Sequence, residues 1–359
     1  MFNFIKSLVG ANSYLGVDIG TASIKMVEIS SGKHQPKLQN YGVLESYGHL
    51  ERLNDAIQTS GLKIMENETA KMLKMLLNKL KIKSHQAIAS IPSFSSFITL
   101  IEIPSMPESD TDKTVSFQIR QHIPLPASEV AIEWFKVGEI EEDGFTKQQI
   151  LIISVPKEQI RKFQNIFKLA GLELKAVEIE SLSLIRALVG SDPTPTLLVD
   201  IGGRSTNIAV SELGFLKCNY QTDFSGASLT QAISSGLNIN VRRAEELKKQ
   251  KGILAGAGGY ELSTLTIPFL DAIISDVGRA RVNYEKNQGI KSRIERIILA
   301  GGGANLLGIE KYVEEQLGLP TFVGNPFLKV EYPSGIEPFV KELGPNFSVA
   351  IGLGIREFI

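Results

Sequence analysis

Two stretches of this chain repeat one pattern, and an internal repeat constrains architecture more tightly than any single motif. Leu15–Ser30 reads LGVDIGTASIKMVEIS, and Leu197–Val210 reads LLVDIGGRSTNIAV. Each is an apolar run, then Asp-Ile-Gly, then small polar residues, then apolar alternation, which predicts strand, tight turn, strand. Asp18 matches Asp200, Gly20 matches Gly202, and Ser23 matches Ser205. A carboxylate stands at the mouth of each turn, and a glycine removes the Cβ that would keep backbone away from a ligand. Thr21, Ser23 and Ser205 add hydroxyls, and Lys25 adds an ammonium. A phosphate chain with its Mg²⁺ needs this mixture of amide donors, a cation and a carboxylate that reaches the metal through water. One such turn reads equally well as an ordinary hairpin. Two describe similar halves gripping one nucleotide between them.

A third glycine cluster, Arg296–Leu307 (RIILAGGGANLL), follows a buried strand and precedes a helix. It is not a dinucleotide fingerprint, which wants a glycine where Leu306 stands, three residues after Gly303. A strand ending in Gly301, Gly302 and Gly303 lets a flat group such as an adenine lie against bare backbone.

At 359 residues the chain has room for about two or three domains. A net charge of −1 and scattered aromatics give no footprint for nucleic acid. Cys218 is the single cysteine, so no intrachain disulfide can form, and a reducing compartment fits. The apolar patch Phe2–Gly10 is too short to span a membrane and lacks the plan of a signal peptide. It reads as a short element packed on the first domain, with a weak membrane-surface anchor as the alternative. No Walker A motif, no G-x-S-x-G elbow and no metal-spaced His/Cys set occurs. His34, His49, His85 and His122 are scattered.

Along the chain, Lys37–Leu44 reads as a third strand. Glu66–Leu80 is a helix with Met72, Leu73, Leu76, Leu77 and Leu80 at helical spacing, its methionines read as core packing. Ala87–Ile91 is a buried strand stopped by Pro92. Ser93–Gln149 has the composition of an insertion: a strand over Ser96–Ile103, a helix over Asp110–His122 capped by Asp110, and strands over Val130–Val137 and Lys147–Ile153 around an acidic turn. Val115, Ile119 and Ile123 form either the insertion's own core or a partner-facing stripe. Lys157–Ala170 is an amphipathic helix closed by Gly171, Leu174–Ile179 a strand, and Ser181–Val189 a helix. The proline-rich Ser191–Thr196 links two halves. Helices follow over Ser228–Ser235, Val241–Lys249 and Leu270–Asn287, with the glycine-rich Gly252–Gly259 read as a flexible loop between the last two. Phe347–Arg356 carries small residues suited to tight helix packing.

The ordered trio of motifs resembles the phosphate-1, phosphate-2 and adenosine motifs of the actin-like ATPase superfamily, which includes Hsp70, FtsA and the bacterial actins. Within it, over nearly its whole length, the chain is similar to the PilM family of the type IV pilus machine. The resemblance implies an α/β actin-like fold of two duplicated halves around a nucleotide cleft. The expected subdomains are 1A (1–92 and 153–190), an inserted 1C of the FtsA and PilM type (93–152), 2A (191–227 and 290–359) and 2B (228–289). It implies ATP and Mg²⁺ as ligands, with Asp18 and Asp200 positioning the ion through water. Gly20, Thr21, Ser23, Lys25, Gly202, Gly203, Ser205 and Thr206 would hold phosphates. Gly301, Gly302, Gly303 and Asn305 would flank adenosine. The run AEELKK resembles the bacterial-actin helix that holds the ribose, which assigns Glu245 and Lys248 there. Otherwise it reads as a solvated charged helix.

Glu180 matches the glutamate that Hsp70 and FtsA place near the attacking water; its plainer role is a helix N-terminal acid that favours the dipole. Ser181 replaces a common proline of the family and Leu184 and Ile185 replace smaller residues, so at most slow hydrolysis is expected. The implied partner is the N-terminal cytoplasmic peptide of PilN, with room for other pilus platform or motor proteins. The implied location is cytoplasmic, peripheral to the inner membrane. Two rivals share the motifs. An FtsA-like division protein would end in a linker and an amphipathic membrane helix, which this chain, ending at Ile359, is expected to lack. A sugar-kinase-type enzyme would need a substrate base that the sequence does not reveal.

Overall fold

The first repeat folds as a hairpin because its turn closes on itself. Ser13–Ile19 (β1) and Ser23–Ser30 (β2) pair antiparallel, with Asp18 opposite Lys25. The Gly20 N–H donates to the Ser23 carbonyl at 3.0 Å across the turn. These coordinates are a computed structural model, which describes residues 13–45, 66–122, 125–126, 128–142, 144–253, 259–288 and 292–359. The patch Phe2–Gly10, Ile123 and the middle of the run Gly252–Gly259 lie outside the described residues.

Lys37–Glu45 (β3) joins β2, and Glu66–Leu80 (α1) packs beneath. Gln86–Ile91 (β4) runs parallel to β1. The chain then leaves the sheet through a 3-10 turn at Ser93–Ser95 and builds Phe97–Pro104 (β5), Glu108–His122 (α2), Val130–Glu142 (β6) and Phe145–Pro156 (β7). Lys157–Ala170 (α3) leads back to Glu173–Ile179 (β8) beside β4, followed by Glu180–Leu188 (α4). The second repeat gives Thr196–Ile201 (β9) and Thr206–Glu212 (β10), with Phe215–Thr222 (β11) beyond. Helices Gly226–Leu237 (α5), Val241–Lys251 (α6) and Gly259–Gln288 (α7) intervene before Arg296–Ala300 (β12), Ile309–Leu317 (α8), Thr321–Val323 (β13) and Val340–Gly354 (α9).

The duplication is visible in the sheets. One has the order β3-β2-β1-β4-β8 and the other β11-β10-β9-β12-β13, which is the same order strand for strand. In both, the first three strands are antiparallel and the last two join parallel. A third sheet, β5-β7-β6, is made by the insertion alone.

The final helix α9 packs on β1, β2 and α4 of the first half and on β12 of the second. Ala350, Ile351 and Leu353 are fully buried on it, and burial of Ile351 and of Leu353 contributes roughly 1.5–3 kcal/mol each. The approach needs small residues: a Cβ on Gly16 would stand 2.0 Å from the Ala350 carbonyl oxygen. On α7, Leu270, Ile273, Val277, Ala280 and Tyr284 share a buried face against β9 and β10 residues.

Several expectations are corrected, and one open alternative is decided. Helix α2 begins at Glu108, so Asp110 lies inside the first turn, its N–H bonded to Pro107 O, and does not cap. Val115 is 1 % exposed and packs with Ile101, Ile103, Ile150 and Ile152, so it is core of the insertion. The insertion's strands run on through most of the expected acidic turn, because cross-strand pairing continues to Glu142 and Phe145. Helix α7 starts well before Leu270 and carries Pro268 inside it; a proline removes one hydrogen bond, which neighbouring turns and packing outweigh here. On α1, Met72 packs on the core, whereas Met75 is 61 % exposed.

Candidate functional site

The two Asp-Ile-Gly turns meet across a cleft of about 770 Å³ between the halves, a volume suited to a small-molecule ligand. The second turn closes as the first does, with the Gly202 N–H donating to Ser205 O at 3.0 Å. A Cβ on Gly203 would lie 2.8 Å from the Ala22 Cβ, so glycine is what lets the turns approach. The N–H groups of Gly20 and Gly202 are committed to their own turns, so ligand donors in these loops must come from other amides and from side chains.

Charge converges at the floor. Asp18, 4 % exposed, accepts from Lys25 Nζ at 3.0 Å and from Ser90 Oγ at 3.0 Å. Glu180 opens α4 and accepts the Ser93 N–H at 3.3 Å. Burial, then the charges of Asp18 and Asp200, push the Glu180 carboxyl well above the usual carboxylate range. Burial also pushes Asp200 up, to about 6, with Asp18 adding to the rise and Lys25 opposing it. For Lys25, burial alone pulls the value down, but Asp18 foremost, with Asp200 and Glu180, outweighs it and holds the ammonium above its ordinary value. Three carboxylates thus share one ammonium, and the floor is short of positive charge. A hard, hydrated divalent cation fits this oxygen-rich set. Among the described residues no three acidic, His or Cys side chains converge closely enough to hold a metal directly.

One wall comes from α5 and α6. Lys248 Nζ pairs with Glu245 Oε2 at 2.7 Å and donates to Gly226 O at 2.9 Å and Thr230 Oγ1 at 2.8 Å. Burial lowers Lys248 against the pull of Glu245. For Glu245, burial raises the carboxyl, yet Lys248, Thr230 and Lys249 together hold it below its usual value. The pair stands at the cleft, not on a solvated helix face.

The glycine cluster forms the far wall. Gly301 has φ +76°, and a Cβ there would lie 2.2 Å from Asp200 Oδ1, so the carboxylate rests against bare backbone. Gly303 is similarly closed by Ile201, whereas Gly302 is exposed toward the cleft, where an added Cβ would meet only the Asn346 side chain, Oδ1 at 3.3 Å. Asn305 lines the cavity and donates its amide to Glu342 O at 2.8 Å.

Every residue expected to line the site does so except Thr206. Thr206 is fully buried and donates its hydroxyl to Phe224 O at 2.8 Å; strand alternation turns it away from the cleft. Sequence reasoning missed Ser90, whose contact with Asp18 depends on β4 lying beside β1. It also missed Arg204, stacked 5.5 Å over the Phe94 ring, and Lys249, which reaches Glu45 across the cleft at 3.7 Å. Asn207 could have been found: it pairs with Asp200 as Lys25 pairs with Asp18, and its Oδ1 is buried without a partner.

Two sheets of one strand order, each offering an aspartate turn to a shared cleft, define the actin-like ATPase fold. The family model for the type IV pilus assembly protein PilM matches residues 16–358, and the chain belongs to that family. The solved PilM–PilN type IV pilus biogenesis complex is similar at 21 % identity, covering 96 % of this chain and 98 % of that one with a TM-score of 0.81. MreB5 of Spiroplasma citri bound to ADP shares the fold at 15 % identity, 97 % coverage of each chain and a TM-score of 0.56. Among curated proteins, the cell division protein FtsA of Enterococcus faecalis is 23 % identical over 341 residues, spanning 84 % of this chain and 76 % of FtsA. Among the described residues no helix is long and apolar enough to cross a membrane.

Proposed function

We propose that this chain is an ATP-binding scaffold of type IV pilus assembly, held at the cytoplasmic face of the inner membrane by the N-terminal cytoplasmic segment of PilN. The observation that carries the reading is the convergence of Asp18, Asp200 and Glu180 on the single ammonium of Lys25 between two matching turns. Lys25 meets phosphate charge, and the hydroxyls of Thr21, Ser23 and Ser205 orient the phosphate chain. Asp18 and Asp200 position Mg²⁺ through its waters; when bound, the ion screens the phosphates and offsets the carboxylate surplus. Glu245 and Lys248 take the ribose hydroxyls, and Gly302 with Asn305 flanks the adenosine. Glu180 stands as the base for a slow hydrolysis. Because each half supplies a turn to the same ligand, binding favours the closed arrangement of the halves. The subdomain division 1–92 with 153–190, 93–152, 191–227 with 290–359, and 228–289 goes with this reading.

The solved PilM–PilN complex supports PilN as partner. Its segment is read as an extended peptide that takes backbone hydrogen bonds from a strand edge between the first half and the insertion.

Calorimetry of the full chain tests both ligands. ATP should bind in a Mg²⁺-dependent manner, weakened in Asp18→Ala and Asp200→Ala, and the PilN peptide should bind with saturable heat. Equal ATP affinity with and without Mg²⁺ removes the metal role. No heat with ATP removes the nucleotide role, and no heat with the peptide removes the partner.

A further inference from the structure

The inserted sheet belongs by chain connection to the first half, yet a buried polar tie joins it to the second. Lys217, on β11, is 2 % exposed. Its Nζ donates to the Val137 carbonyl at 2.7 Å and to Gln149 Oε1 at 2.9 Å, and both acceptors belong to the inserted sheet. Glu212 Oε2 lies 3.8 Å away. Gln149 is itself buried and donates to Glu102 Oε1 on β5 at 3.3 Å. Glu212 accepts from Tyr284 at 2.8 Å and Ser292 at 2.7 Å, which roots the cluster in the second half. The backbone is shaped to the ammonium. Strand β6 shifts register against β7 between Lys136 and Gly138, and such a bulge leaves one residue outside the ladder. A Cβ on Gly138 would stand 2.8 Å from Lys217 Nζ.

Adhesion alone does not call for this. Val137, Leu151, Leu216 and Ala209 already bury apolar surface in one cluster at the same junction. An ammonium taken out of water is costly unless its donors are met, and apolar side chains would hold such a junction at least as well. What a directional, fully housed lysine adds is a single register between two sheets.

We infer that Lys217 is a coupling pin, which locks the inserted sheet to the second half so that closure of the cleft by nucleotide moves the sheet on which the partner docks. The inference rests on the nucleotide reading above. It makes nucleotide and partner affinity depend on each other reciprocally.

The test is amide hydrogen exchange on the full chain with and without ATP·Mg²⁺, with calorimetry of ATP in parallel. Neither Lys217 nor Gly138 lines the cleft. Lys217→Met removes the ammonium and keeps the stem. Gly138→Ala sets a methyl where Nζ sits, and the flexible end of Lys217 can yield to it, so this variant keeps the fold even where Lys217→Met does not. In the wild type, ATP·Mg²⁺ should slow exchange in β6 and β7 by about fivefold or more, the low end of ordinary coupling, and in either variant by less than about twofold. Both variants should bind ATP as the wild type does and keep the slowing at the Asp18–Ser23 turn.

Slowing of β6 and β7 that persists in the variants overturns the pin, as does a wild type that binds ATP without any change there. A wild type that binds no ATP instead refutes the nucleotide reading, and the pin is then judged without ligand. Lys217→Met, or Gly138→Ala in its place, must speed exchange in β6 and β11 together, and speeding confined to β11 overturns it.

Discussion

Lys25 Nζ stands 3.0 Å from Asp18 Oδ2, and in the second hairpin the place opposite Asp200 is taken by Asn207. The duplicated turns therefore hold two aspartates but one lysine, and among the described residues Lys25 is the cation that faces Asp18, Asp200 and Glu180 together. Replacing Lys25 by Met leaves those carboxylates uncompensated. Breaking a buried pair from one side costs about 3–5 kcal/mol, and the partial exposure here brings the expectation to about 2–4 kcal/mol. The loss should shrink toward pH 5 as Asp200 and Glu180, both raised by burial, take up protons, and ATP affinity should fall at least about tenfold. Thermal melts at two pH values and calorimetry check this; unchanged stability at neutral pH would sink the shared-cation account.

Asp200 carries the opposite expectation. Its folded value of about 6 lies above that of an unfolded aspartate, so the folded chain holds the proton more tightly. Its contribution is intact below about pH 4 and is lost as pH rises to about 6. At neutral pH the ligand-free protein bears the full penalty. Asp200→Asn should be more stable than the wild type at pH 7, by about 1–3 kcal/mol, with a difference that fades near pH 4. The same variant should lose Mg²⁺-dependent ATP binding. Melting curves of the two proteins from pH 4 to 7 decide it, and parallel curves would show that Asp200 is not perturbed.

How much of this was legible beforehand follows from distance along the chain. Asp18 and Asp200 were found because the residues that build each turn sit within a few positions of it. The likeness of the two halves was legible in the repeat, whereas the strand order they share is set by pairing between distant strands. Ser90 reaches Asp18 over 72 positions, and nothing local to Ser90 records that. Lys217 looks like a solvent-facing strand residue until the insertion covers it. Thr206 was assigned to phosphate for being small, polar and close to the turn, yet the period of two in a strand sent it to Phe224. Pro268 hid the first third of α7, because propensity argues locally while the packing that overrides it lies in other elements.

The three glycines of the wall proposed to hold adenosine, Gly301, Gly302 and Gly303, should respond differently to a side chain. At Gly301 and Gly303 a Cβ would meet Asp200 Oδ1 and Ile201 Cγ2, each at 2.2 Å, so valine there should destabilise the fold; overpacking costs typically about 1–3 kcal/mol. At Gly302 the nearest atom is 3.3 Å away and belongs to a side chain. Gly302→Val should therefore melt close to the wild type while binding ATP at least about tenfold more weakly, a loss of about 1.4 kcal/mol. Wild-type affinity in a folded Gly302→Val protein would move adenosine off this wall.

The proposed role of Glu180 as base rests on two opposed influences: burial beside Asp18 and Asp200 raises the carboxyl and outweighs the Ser93 N–H, which lowers it. The Ser93 N–H fixes Oε2, and burial beside Asp18 and Asp200 leaves the carboxyl a readier base than a free glutamate. A positioned base contributes about 10²- to 10⁴-fold to rate when its pKa approaches the working pH. The neighbours argue for restraint: Ser181, Leu184 and Ile185 are buried core on α4, so the helix is packed rather than open to rearrangement. The expected wild-type turnover is slow. Glu180→Gln keeps the Ser93 contact, removes one of three mutually repelling charges, and should bind ATP·Mg²⁺ as tightly as the wild type or more so. Its single-turnover phosphate release should fall by about tenfold or more. Release at the wild-type rate, with nucleotide bound, would assign Glu180 to the helix dipole alone.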